Sequence, residues 1–254
     1  TLLKEGLYDR AIACFNKAIE INPKYVEAYN SRGLAYRQKG KIDTFADWNK
    51  ALEISPKYAW IRNDYQYRYL YSIGTLQPRD EYYKAIADFT IAIAINPMYA
   101  VAYNNRGMTY RQKGEYYKAI ADCNKAIEIN PKYAEAYSCR GLAYRHEGKV
   151  DWAIADCNKA IEINPKYAEA YSCRGLAYRH KGEYDKAIAD FTKAIELNLD
   201  TDGAYYMERG LIYVDRVQLE KGCSDLERAC KLGGVNKRIR CNIYDFSMRE
   251  GDCK

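Results

Sequence analysis

Apolar residues recur at every third or fourth position along most of the 254-residue chain, in short stretches divided by glycine or proline. In residues 134–147 they share one helical face, and after a break at Gly148 the same spacing returns in residues 152–163. An Asn-Pro pair then follows, and proline cannot continue a helix because it lacks a backbone N–H and clashes with the preceding turn. The pattern therefore predicts pairs of helices joined as hairpins.

The hairpins are copies of one unit. Residues 130–146 and 164–180 have the same sequence and lie 34 residues apart. Five prolines mark the same point of successive units, with spacings of 33, 41, 34 and 34 residues: Pro23, Pro56, Pro97, Pro131 and Pro165. Such units bury a core only against their neighbours, which predicts a stack of hairpins.

The period and its marker residues resemble the tetratricopeptide repeat. A glycine stands where the two helices of a hairpin approach closely, at Gly33, Gly107, Gly141, Gly175 and Gly210. The resemblance implies an all-α, right-handed superhelical solenoid of helix-turn-helix repeats. It divides the chain into a half repeat at 1–22, repeats at 23–55, 56–96, 97–130, 131–164, 165–198 and 199–233, and a Cys-rich capping helix at 234–254, with a loop inserted at about 72–79.

Two charged columns accompany the repeats. An arginine precedes each glycine, at Arg32, Arg106, Arg140, Arg174 and Arg209, and an aspartate recurs in the second helix, at Asp47, Asp88, Asp122, Asp156, Asp190 and Asp225. A carboxylate with two oxygens satisfies a partly buried guanidinium. We therefore interpret the columns as a structural ladder.

A further polar set occupies first-helix positions that resemble the ligand-facing positions of the family. Its members are Asn30, Arg37, Gln38, Asn104, Arg111, Gln112, Arg145, His146, Arg179 and His180. We predict that they form a concave surface that binds an acidic or extended peptide through charge and amide contacts. A solvated charged face explains the same residues about as well.

Nine cysteines are present, four of them in the middle repeats. Cys123 and Cys157 fall at a large core position, while Cys139 and Cys173 fall early in first helices. We favour small buried hydrophobes as their role. The equal separation of 16 residues, from Cys123 to Cys139 and from Cys157 to Cys173, would also suit repeated bridges.

The other cluster of cysteines lies in the last 32 residues and resembles the terminal caps of exported bacterial repeat proteins. Three pairings exist, and we favour nested bridges, Cys230 to Cys241 and Cys223 to Cys253, because a helical hairpin brings those residues together. Zinc is the alternative, although no CxxC spacing supports it. Bridges imply an oxidising compartment, so we predict an extracellular or periplasmic location, with the cytoplasm as the alternative.

Asn198, Asp200 and Asp202, followed by Gly203, reproduce the opening of a calcium loop with oxygen ligands. The acid at the far end of such a loop is missing, since Arg209 stands there. A helix N-cap is the favoured interpretation, and calcium is the alternative. No cofactor is required.

Charge and composition narrow the function classes. The net charge is +6, with 40 basic and 34 acidic residues interleaved, which argues against nucleic acid. No apolar run is long enough to span a membrane. The chain has only 2 histidines and no nucleophile or phosphate-binding motif, so we expect no enzyme activity.

Two functional hypotheses follow. The first is a non-enzymatic scaffold that binds proteins or peptides. The second is a structural protein that joins other copies of itself end to end into an extracellular fibre, because Ile12, Phe15 and Ile19 lack a first-helix partner. Calcium and disulfides would stabilise such joints.

Overall fold

The computed structural model describes residues 7–39, 80–197 and 203–232 of the chain. The regular structure in these ranges is helical, which confirms the predicted hairpins. The helices are α1 Tyr8–Ile21, α2 26–39, α3 Asp80–Ile95, α4 Ala100–Gln112, α5 Tyr116–Ile129, α6 Ala134–His146, α7 Val150–Ile163, α8 Ala168–Lys181, α9 Tyr184–Leu197, α10 Gly203–Asp215 and α11 Leu219–Lys231.

The chain divides into two compact units, Thr1–Pro131 and Lys132–Lys254. In the first unit, α3 packs on α4 and α4 packs on α5. In the second, the hairpins α6–α7, α8–α9 and α10–α11 are joined by contacts of α7 with α8 and of α9 with α10. The boundaries predicted between residues 40 and 79, and the capping helix at 234–254, lie outside the described residues.

Glycine and asparagine set the ends of the helices. Gly182 follows α8 with a φ of 81°, and Gly148 follows α6 with a φ of 75°, in the left-handed region that costs a residue with a Cβ free energy. The second helices end at the Asn-Pro pairs, where Asn164 Oδ1 accepts a hydrogen bond from the backbone N–H of Lys166 at 3.1 Å. The short Asn side chain thus replaces the next helical hydrogen bond and turns the chain toward the following repeat.

The core consists of small residues that let the helices approach and of a few large ones that fill the remaining space. Ala187 and Ala194 of α9 are fully buried, as is Phe191 between them. A Cβ added to Gly175 would lie 3.2 Å from the Phe191 ring, so this glycine makes room for the ring. The close contact explains why the repeat alternates glycine and alanine with one bulky side chain.

Candidate partner-binding surface

The arginine and aspartate columns form the predicted ladder. Arg106 Nε and Nη2 donate to the two Asp122 oxygens, both at 2.7 Å. The same paired hydrogen bonds join Arg140 to Asp156, Arg174 to Asp190 and Arg209 to Asp225, always 16 residues apart. Each pair connects the first helix of a hairpin to its second helix, and the structural interpretation of these columns is confirmed.

The remaining guanidinium nitrogen of these arginines, Nη1, donates to the second helix of the preceding repeat. Arg174 Nη1 donates to Asn158 Oδ1 at 2.7 Å, and Arg209 Nη1 donates to Thr192 Oγ1 at 2.8 Å. One guanidinium therefore ties three helices together. Its hydrogen bonds to Asp190 raise the pKa of Arg174, although partial burial opposes this change.

Arg32 uses an aspartate that is much farther along the chain. Its Nε and Nη2 donate to Asp88 of α3, at 2.9 and 2.7 Å, across 56 residues of sequence. Asp47, the nearer member of the aspartate column, lies outside the described residues.

Three of the predicted surface residues are buried instead. Asn30, Arg37 and Asn104 are 5, 7 and 3% exposed. Asn30 Oδ1 accepts a hydrogen bond from Asn105 Nδ2 at 3.0 Å, and Arg37 Nη1 donates to the Asn105 backbone carbonyl at 3.4 Å. Asn30 and Arg37 therefore pack where α2 meets α4, and all three side chains are buried and not exposed on the predicted concave surface.

Arg179 is also engaged by the stack. Its Nη1 donates to Glu208 at 2.7 Å, and its Nη2 lies 3.5 Å from Asp215, both on α10. These ion pairs hold α8 against α10. Arg179 therefore has a structural role in addition to any contact with a partner.

The remaining predicted residues keep part of their side chain accessible. These are Gln38, Arg111, Gln112, Arg145, His146 and His180. Arg145 Nη2 donates to His146 Nε2 at 2.9 Å. Within the described ranges, Nε of Arg111 and Oε1 of Gln112, the last two residues of α4, are buried and have no hydrogen-bond partner, so this helix end has one unsatisfied donor and one unsatisfied acceptor.

A disulfide joins Cys157 of α7 to Cys173 of α8, with their Cα atoms 6.0 Å apart. Both cysteines are buried, as their favoured interpretation as small buried hydrophobes predicts, and they also form the bridge that the 16-residue separation would suit. Both sulfurs lie 3.1 Å from the position of a Cβ on Gly141. Cys123 and Cys139 are buried, in agreement with their predicted core positions.

Most of the other predicted site residues are not tested, because Asn198, Asp200, Asp202, Cys241, Cys253 and the side chain of Cys230 lie outside the described residues. Cys223 is buried on α11 and takes part in a disulfide bond, although the predicted pairing with Cys253 is not tested. The part of the chain that the structure describes contains no group of three acidic, histidine or cysteine side chains placed to hold a metal ion. None of its helices combines the length and apolarity that crossing a membrane requires.

Comparison with known proteins identifies the class. Models of the tetratricopeptide repeat match residues 100–133, 134–167 and 168–200, and a further TPR repeat model matches residues 1–40. These matches together cover more than half of the chain. The chain belongs to the tetratricopeptide repeat family. A search of curated proteins returned no match.

Solved structures agree with this assignment. TTC0263, a thermophilic TPR protein of Thermus thermophilus, is 23% identical, with a TM-score of 0.60 over 71% of this chain and 94% of that chain. Human IFIT1, solved as a dimer with PPP-AAAA, is 16% identical, with a TM-score of 0.66 over 97% of this chain and 50% of that chain. At these identities the likeness shows the fold alone, and the predicted all-α solenoid class is confirmed.

Proposed function

We propose that this chain is a non-enzymatic scaffold that binds proteins or peptides through its first helices. Membership of the tetratricopeptide repeat family supports the proposal. The observation that carries it is the unsatisfied polar pair on α4, Nε of Arg111 and Oε1 of Gln112. A buried polar atom without a hydrogen bond costs about 1–3 kcal/mol, and a partner would recover this free energy if the two side chains turned outward to meet it.

The chemistry of this pair fits an extended acidic segment. A carboxylate would accept from the Arg111 guanidinium, and a backbone N–H of the same segment would donate to the Gln112 amide. In the second unit, His146 and His180 occupy the first-helix position that Gln112 has in the first unit. The arginines that hold the stack, such as Arg179, fix the position of these helices before a partner arrives.

Peptide binding tests the proposal. An array of acidic dodecapeptides and their amide-neutralised counterparts is probed with the wild-type chain, with Arg111→Met and with Lys166→Met, which removes one exposed positive charge elsewhere. We expect the wild type and Lys166→Met to prefer the acidic peptides. Arg111→Met should bind them at least tenfold more weakly. Equal binding of acidic and neutral peptides would refute the proposal.

We also propose that the protein works in an oxidising compartment, outside the cell or in the periplasm. The Cys157–Cys173 bridge supports this location, since disulfides persist where thiols are not kept reduced. Thiol counting on material from the native source is the test. Free thiols at both Cys157 and Cys173 would count against export.

End-to-end assembly into a fibre remains a prediction. Calcium binding at Asn198, Asp200 and Asp202 also remains a prediction, because these three residues lie outside the described ranges. Light scattering of the purified chain with and without a chelator addresses both. A monomer at micromolar concentration would remove the fibre hypothesis, and unchanged melting with the chelator would remove calcium.

A further inference from the structure

Helices α2 and α3 contact each other as the two helices of one repeat do elsewhere. The Arg32–Asp88 pair has the paired hydrogen bonds of Arg174–Asp190, but its members are 56 rather than 16 residues apart. Lys84 Nζ lies 5.7 Å from the centre of the Tyr36 ring. In regular hairpins Lys118 lies 5.4 Å from Tyr110, and Lys186 lies 5.2 Å from Tyr178.

The close glycine contact is also reproduced. A Cβ on Gly33 would lie 2.7 Å from the Phe89 ring, as one on Gly175 would lie 3.2 Å from Phe191. Phe89 is fully buried. Because a Cβ at position 33 would collide with the Phe89 ring, this ring needs a glycine on the helix it faces, and α2 supplies it.

On its other side α2 meets α1 in the regular manner. Arg32 Nη1 donates to Asn16 Oδ1 at 2.7 Å, like Arg174 to Asn158. Lys39 Nζ bonds Asp9 at 2.7 Å. In the second unit, Lys181 bonds Asp151 at the same distance. Helix α2 is therefore a complete first helix, and its second helix is α3.

The sequence gives an independent reason for this pairing. If residues 41–80 are left out, 36–40 joined to 81–88 reads the same as 110–122 at all 13 positions. Pro23 and Pro97 are 74 residues apart, which is one period of 34 plus 40. The separation of Arg32 from Asp88 exceeds the regular 16 by the same 40 residues.

The omitted residues lack the side chains that a partner of α3 requires. Aligned with the repeat, Tyr65 stands where the ladder needs arginine and Gln66 where the close contact needs glycine. Arg68 stands at the position of Ala143, which is fully buried. A charged side chain is costly at such a position unless it is paired.

We infer that α2 and α3 are the two halves of a single repeat, into which residues 41–80 are inserted. This arrangement replaces the division into separate repeats at 23–55 and 56–96. The insertion begins directly after Gly40, which aligns in sequence with Gly114 of a regular hairpin. Leaving these 40 residues out restores the regular period of 34 residues between Pro23 and Pro97, so the inference makes them an addition within one repeat and not a repeat of their own.

A double-mutant cycle in the full chain tests the pairing. Arg32→Met and Asp88→Leu should each raise the unfolding equilibrium constant at least tenfold, and the double variant should raise it no more than the larger single change. Arg32→Met and Asp47→Leu serve as the matched control and should act additively. Coupling of Arg32 to Asp47, or its absence with Asp88, would overturn the inference.

Excision gives a second readout. A variant that joins Gly40 to Glu81 should keep the urea midpoint of the full chain within experimental error. The control joins Gly148 to Glu183, which removes one regular period of 34 residues, and its midpoint should fall because each layer of a stack stabilises its neighbours. Both are measured under reducing conditions, since the control lacks Cys157 and Cys173. An equal fall in both variants, or failure of the first alone to fold, would contradict the inference.

Discussion

Arg174 and Asp190 are joined by two parallel hydrogen bonds, from Nε to Oδ2 at 2.8 Å and from Nη2 to Oδ1 at 2.7 Å. Asp190 is only 6% exposed, so its carboxylate has exchanged water for the guanidinium. The pair fixes the rotation of α8 about its axis relative to α9, because a bidentate contact tolerates little change of angle. The equivalent pairs do the same for each hairpin.

Replacing Arg174 with methionine should destabilise the protein by about 2–3 kcal/mol, because it leaves the buried Asp190 carboxylate without a charged partner. Urea unfolding followed by circular dichroism measures the change. The double variant Arg174→Met, Asp190→Leu should recover most of the loss, since it removes the stranded charge. A double variant less stable than Arg174→Met would show that the cost of Arg174→Met does not come from leaving the Asp190 carboxylate without a partner.

Replacement by alanine should destabilise the protein at both Gly175 and Gly182, but for different physical reasons. Gly175→Ala places a Cβ 3.2 Å from the Phe191 ring and should cost about 1–3 kcal/mol by overpacking. Gly182→Ala meets nothing within 4 Å but must hold a φ of 81°, which should cost about 1–2 kcal/mol.

Second-site changes separate the two causes. In a Phe191→Leu background the stability cost of Gly175→Ala should fall, whereas the stability cost of Gly182→Ala should stay the same. Gly182→Asn should cost less than Gly182→Ala, because asparagine adopts the left-handed region more readily. Thermal melting of these variants measures the differences, and rescue of Gly182→Ala by Phe191→Leu would contradict both assignments.

Periodicity was enough to predict the ladder, since a helical hairpin of constant length fixes which residues face each other. It was not enough for Arg32, because a spacing of about 16 residues favours Asp47, which is 15 residues away, although Arg32 is bound to Asp88. The repeat of the sequence Tyr-Arg-Gln-Lys-Gly-Glu-Tyr-Tyr across residues 41–80 was the available signal, and it becomes visible only when a noncontiguous pairing is considered.

The candidate surface was less predictable than the fold for a related reason. Arg37 and Arg111 have identical neighbours in sequence, yet Arg37 is buried against the Asn105 carbonyl of the next first helix. Exposure at this position depends on the residue across the helix interface, which sequence spacing alone does not identify. Spacing alone does not decide between a Cys157–Cys173 bridge and two separate buried thiols for the same reason, since it gives no Cα–Cα distance.

The Cys157–Cys173 bridge closes a loop of 16 residues and should contribute about 3 kcal/mol by restricting the unfolded chain. Cys157→Ala, Cys173→Ala should therefore lower the urea midpoint under oxidising conditions. Under reducing conditions its midpoint should approach that of the wild type. A difference between the two proteins that is equally large in reductant would indicate loss of packing and not loss of the bridge.

Acid should weaken the hairpin of α4 and α5 through Glu115. Burial alone would raise the pKa of Glu115, but its ion pairs with Lys113 and Lys118, at 2.5 and 2.7 Å, outweigh burial and hold the pKa below the ordinary 4.5. A carboxyl whose pKa is lowered by folding stabilises the protein fully above its unfolded pKa, and this contribution disappears as the pH falls through the folded pKa.

Glu115→Gln should thus cost about 0.5–1 kcal/mol at neutral pH, the value of a partly exposed ion pair, and progressively less as the pH falls through the lowered folded-state pKa of Glu115. Urea midpoints of both proteins between pH 7 and pH 3 measure the difference. In a Lys113→Met, Lys118→Met background only burial acts on the Glu115 carboxyl and raises its pKa, so Glu115→Gln should no longer cost stability at neutral pH and its pH dependence should reverse in sign. A cost that stays constant across this range would mean that Glu115 acts through packing alone.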